Sequence, residues 1–110
     1  MNATLRVVIL SAVFAASTAQ ATDHPNTNVA TVLTDTTRPC VLFNLTDGLA
    51  ADPVSGSTVW IAVAQSAPFY KERLSMLYMA KLTGTKISVT TDGVVNGACG
   101  HVGVSWMNLP

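Results

Sequence analysis

Apolar positions along this chain fall into short runs, mostly of period two, separated by clusters of Gly, Pro, Asp and Ser. "VATVLT" at 29–34 is β-branched and partly alternating, and predicts a strand. "DTTRP" interrupts it, and "CVLFNL" at 40–45 predicts a second strand that is apolar on both faces. "TDGLAADPVSGS" has the composition of a loop. "TVWIAVA" at 58–64 predicts a third strand, with Val59, Ile61 and Val63 on one face and Trp60, Ala62 and Ala64 on the other. After a helical stretch, "KISVTTDG" alternates, with Ile87 and Val89 inward and Lys86, Ser88 and Thr90 outward. A glycine-rich turn leads into "HVGVSWM" at 101–107, where Val102, Val104 and Trp106 share a face.

Between the third and fourth strands the spacing changes to that of a helix. In "SAPFYKERLSMLYMAKLTG", Ser66 is the candidate N-cap and Pro68 fits a first turn. Glu72 and Lys81 sit at the ends the helix dipole favours, and Gly84 suits a left-handed stop. Tyr70, Leu74 and Leu77 form the predicted core face. Met76, Met79 and Leu82, with Tyr78 at the border, make a second apolar face. That face fills a broad core or meets a neighbouring subunit. The order β-β-β-α-β-β in so short a chain predicts a mostly β domain with one helix (α+β), a five-stranded OB-fold barrel over residues 22–110. Closure would protect the edges of such apolar strands.

The N-terminus changes the cellular picture. Arg6, the apolar run at 7–16 and the small-x-small tripeptide Ala19-Gln20-Ala21 read as a signal peptide, residues 1–21, cleaved after Ala21. The expected location is secreted or periplasmic. The apolar run is too short to span a bilayer, and no membrane span is expected elsewhere. Removing Arg6 leaves one more acidic than basic residue, which argues against nucleic acid as a partner. Only 11% of the chain is charged, well below the usual quarter, so part of the surface is expected to lie against something. Two cysteines in an oxidising compartment predict a Cys40–Cys99 disulfide. The alternative, a metal site of Cys40, Cys99, His101 and His24, lacks the paired short spacings of zinc ligands, and no metal is expected.

Catalytic signatures are missing. Ser105, His101 and Asp92 make a triad on paper, without a nucleophile elbow around the serine. Glu72 is the only Glu, and the acids form no evident inward pair. "DGVVNGACG" has glycines but no following helix to cradle phosphate. A non-enzymatic protein without a cofactor is the expectation. Small OB barrels bind oligonucleotides or oligosaccharides, and the charge balance leaves sugar. Candidate glycan-binding residues are the loop groups Asp47, Asp52, Ser55, Ser57, Asp92 and Asn96, with Trp60 or Trp106 as platforms if exposed. Asn44-Leu45-Thr46 is a glycosylation sequon, meaningful only in a glycosylating pathway.

"CVLFNL", "TVWIAVA", "FYKERLSMLYMAKLTGTKISV" and "ACGHVGVSWM", in that order after a signal peptide, resemble the subtilase cytotoxin B subunit and its small secreted relatives. The resemblance covers most of the mature chain. It implies an OB-fold subunit that assembles as a homo-oligomer, a ring of five around its helices, and binds cell-surface glycans on behalf of a toxin A subunit. The second helix face, Met76, Tyr78, Met79 and Leu82, would then touch neighbouring subunits. The segment before Cys40 is short and offers no match to the family's glycan-contacting residues, so no sugar-binding residue transfers. The expected function is that of a secreted glycan-binding protein of this B-subunit type. The alternative is a stand-alone periplasmic domain that binds or inhibits a protein.

Overall fold

The computed structural model describes residues 21–52 and 58–110. The predicted signal peptide, apart from Ala21, lies outside the described residues, as do Ser55 and Ser57. Seven elements follow in order: β1 (Asp23–Thr27), β2 (Val29–Thr34), β3 (Cys40–Leu45), β4 (Ile61–Ala64), α1 (Tyr70–Thr83), β5 (Ile87–Asn96) and β6 (His101–Asn108). Among the described residues the protein is mostly β with a single helix, as the pattern predicts, but its mixed sheet has six strands rather than five. The spatial order is β1-β5-β6-β4-β3-β2. All neighbours are antiparallel except β4 and β6, which run parallel with Ile61 beside Val102. The strands at the two ends of this order, β1 and β2, are consecutive in the chain, with only Asn28 between them.

The additional strand is β1, "DHPNT", which has neither β-branched alternation nor apolar content. Tertiary contacts hold it. His24 is buried, its Nδ1 paired with the Asp47 carboxylate at 2.8 Å and its Nε2 donating to the Ala51 carbonyl at 3.0 Å. Thr91 N–H donates to Thr22 O at 2.9 Å, and Thr22 N–H donates to Thr91 Oγ1 at 3.1 Å. Asn26, at φ 47°, accommodates the bulge that Pro25 forces, and its N–H finds Ser88 Oγ instead of a ladder carbonyl.

The main core lies between the sheet and α1. Phe43, Ile61, Val63, Ile87, Val89 and Val102 are buried against Leu77 and Ala80 of the helix. Tyr70 and Leu74 pack at its margin, so the predicted core face of the helix is the one observed. A second, smaller cluster forms on the opposite side of β3 and β4, from Cys40, Leu42, Ala62 and Cys99, with Trp60, Leu33 and Ala64 against it. This is why "CVLFNL" is apolar on both faces. The predicted split of the third strand holds for Ile61 and Val63 against Trp60, Ala62 and Ala64. The strand itself starts only at Ile61, and Val59 is exposed.

Helix α1 differs from expectation at its start. Ser66 is not its cap; Phe69 is the N-cap residue, at φ 59° and without a side-chain cap bond. At the other end Gly84, at φ 72°, donates to Ala80 O as expected. The helix is tied down at both ends by long side chains. Arg73 Nη1 and Nη2 donate to the carbonyls of Val104 and Ser105 at 3.0 and 3.2 Å, and Lys81 Nζ donates to Ala30 O at 2.8 Å. Of the second apolar face, Tyr78, Met79 and Leu82 are exposed, Leu82 at 84%, and Met76 is partly covered.

Candidate functional site

Cys40 and Cys99 form the predicted disulfide, which joins the start of β3 to the β5–β6 turn. Its sulfurs are not available to a metal, and among the described residues no group of three or more His, Cys, Asp and Glu side chains could hold one. The paper triad does not assemble into a relay. Asp92 Oδ1 accepts from the backbone N–H groups of Val94 and Gly103 at 2.9 and 3.0 Å, and His101 Nδ1 lies 3.3 Å from Thr58 Oγ1. Partial burial, and then the nearby Arg38 guanidinium, hold the His101 pKa below its ordinary value, because both disfavour the imidazolium.

Three of the loop residues proposed for sugar contact have local duties. Asp92 braces the β5–β6 hairpin, and a Cβ at Gly103 would come within 2.7 Å of its Oδ2. Asn96 Oδ1 accepts from Ala98 and Cys99 N–H at 2.8 and 3.2 Å, shaping the turn that carries the disulfide. Asp47 holds His24 through one oxygen and Leu49 N–H through the other, at 3.0 Å. Asp52 is fully buried. These are the turn-forming habits of Asp and Asn, which a sequence reading cannot separate from ligand contact. Asn44 of the sequon is half-buried inside β3, opposite Thr31.

The two tryptophans part company. Trp60 packs on the disulfide cluster, whereas Trp106 is 53% exposed. The pattern placed Trp106 on the same face as Val102 and Val104; the structure turns it outward. Thr91 pairs with Val104 and Thr90 with Trp106, so β6 advances two residues while β5 advances one. This bulge reverses the alternation, and Met107 and Leu109 take the inward positions instead. The carbonyls at the bulge are those bound by Arg73, so the helix fixes the direction in which Trp106 points.

Trp106 stands between two surface grooves. One, of about 430 Å³, is lined by Asp23, Pro25, Ser88 and Thr90 of β1 and β5. Its polar groups are held in place: Thr90 Oγ1 donates to Asp23 Oδ1 at 2.7 Å, and Ser88 Oγ accepts from Asn26 N–H at 3.1 Å. The other, of about 290 Å³, is lined by Phe69, Glu72, Arg73, Met76 and Ser105. An indole face flanked by hydroxyl and carboxylate groups suits a ligand with one apolar face and a rim of hydroxyls. The signal for β1's part in it was absent from the sequence, because His24 and Asp23 belong to no periodic run. No protein-family model matches this chain, and no curated protein matches it.

Proposed function

We propose that this chain is a secreted, non-enzymatic glycan-binding protein of the subtilase cytotoxin B-subunit type, built on a five-stranded OB barrel whose first strand is broken at Asn28. The observation that carries the glycan reading is the exposed Trp106, set between grooves with Asp23, Ser88 and Thr90 beside it. The barrel reading is supported by the consecutive placement of β1 and β2, one pairing with β5 and the other with β3, at the two ends of the strand order. Export is supported by the disulfide, a bond of oxidising compartments. Assembly through the helix, as a ring that presents glycan sites for an A subunit, is supported by the exposure of Tyr78, Met79 and Leu82.

A glycan array read with the mature protein tests the central claim. Binding that is lost in Trp106→Ala is the expected result; an array on which no glycan is bound rejects the reading. The exposed helix face also favours a second reading, a domain that binds or inhibits a protein partner in the periplasm. A protein that runs as a monomer, binds no glycan and captures one stoichiometric partner would establish it.

A further inference from the structure

We propose that Trp106 and Phe69 are two adjacent platforms for a neutral oligosaccharide of at least two residues, one sugar on each side of the indole. The proposal rests on the glycan-binding reading and names the ligand class and a second contact residue. Phe69 lines the same groove as Trp106 and is 69% exposed. It also holds a left-handed backbone conformation, φ 59° and ψ 30°, without a cap bond to offset it. A bulky residue rarely adopts that geometry, and such strain collects at ligand-contacting positions. An exposed aromatic, held in a strained conformation next to a second exposed aromatic, has no evident role in the core and a direct one in stacking.

Charge selects the ligand class. The β1–β5 groove contains the carboxylate of Asp23, and the helix-side groove contains that of Glu72. The one guanidinium present, that of Arg73, is committed through Nη1 and Nη2 to the bulge carbonyls. A sialic acid or uronic acid would therefore meet a carboxylate on each side of Trp106, while the two basic side chains among the described residues lining the grooves direct their hydrogen bonds into the protein, Arg73 to the bulge carbonyls and His24 to Asp47 and the Ala51 carbonyl. A neutral pyranose lays its C–H face on the indole and offers hydroxyls to Asp23 and the hydroxyl side chains beside it. The two grooves share Trp106, so a linear disaccharide stacked on the indole has the Thr90 side on one hand and the Phe69 side on the other.

The test is titration of N-acetyllactosamine, chitobiose, cellobiose, their component monosaccharides and sialyl-N-acetyllactosamine, read by tryptophan fluorescence and by calorimetry. Wild type, Trp106→Ala, Trp106→Phe and Phe69→Ala are compared, each checked for fold by circular dichroism. At least one neutral disaccharide should bind about tenfold more tightly than the sialylated probe. Trp106→Ala should lose about tenfold or more while Trp106→Phe retains most of the affinity. Phe69→Ala should weaken the disaccharide about fivefold and leave the monosaccharide unchanged. Preference for the sialylated probe, or equal effects of Phe69→Ala on mono- and disaccharide, overturns the proposal and leaves glycan binding standing. So does a Phe69→Ala protein whose oligomeric state changes while its sugar affinity does not. Binding of none of these probes overturns the proposal, and only an empty glycan array overturns the broader reading as well.

Discussion

Removing the disulfide should cost this protein half or more of its stability. The bond spans 59 residues, from the first residue of β3 to the β5–β6 turn. The chain entropy it removes from the unfolded state is worth about 4 kcal/mol for a loop of this length. Replacement by alanine also withdraws two buried sulfurs from the small cluster of Leu42 and Ala62, for about 1 kcal/mol more. Domains of this size have about 5–10 kcal/mol to lose. The double variant Cys40→Ala/Cys99→Ala is therefore expected to be marginally folded at 25 °C. Arg38, whose Nη1 donates to Cys99 O at 3.1 Å, and Asn96 still hold the turn locally, so the loss should fall on global stability rather than on turn geometry. Urea unfolding followed by tryptophan fluorescence measures it, since Trp60 packs directly against the cluster. A loss under about 1 kcal/mol would refute the reasoning, because it would mean that the unfolded chain is already restrained where the entropy argument takes it to be free.

The remaining expectations are narrower. Leu77→Ala should destabilise by about 2–5 kcal/mol, because the side chain is fully buried between helix and sheet; thermal denaturation checks it. Met79→Glu should leave circular dichroism intact and shift light scattering toward a smaller species, whereas a wild type already monomeric at tens of micromolar would contradict assembly through the helix. Arg73→Ala should free the β6 bulge and change Trp106 fluorescence before it changes helix content, as the guanidinium binds two of the bulge's carbonyls. For His101 the folded-state pKa lies below the ordinary 6.5, so the folded protein binds fewer protons than the unfolded one just below that pH. Stability from this group is present above 6.5 and falls as pH drops through and below it; His101→Gln should flatten that part of a pH–melting curve.

How far the sequence alone determined this protein depends on whether each residue's role is local. The two-sided apolar run at 40–45, the alternation at 87–90, the helical spacing of Tyr70, Leu74 and Leu77, and the left-handed stop at Gly84 are properties of neighbours in the chain, and each appears in the structure as the pattern predicts. The Cys40–Cys99 pairing was legible because only two cysteines existed to pair. β1 was not legible, because its strand comes from His24 reaching Asp47 and Ala51, and from Thr22 reaching Thr91, contacts between residues far apart in sequence. Nor was the direction of Trp106, since one bulge, fixed by how β6 pairs with β5 and by the guanidinium of a helix residue, reverses every later position of the strand. Asp92 and Asn96 illustrate the same limit from the other side: the sequence showed that they were polar and in loops, and only the fold decided that their oxygens would be occupied by the backbone they shape. Secondary structure follows from short-range periodicity, whereas the grooves beside Trp106 depend on strand register, which no local pattern encodes.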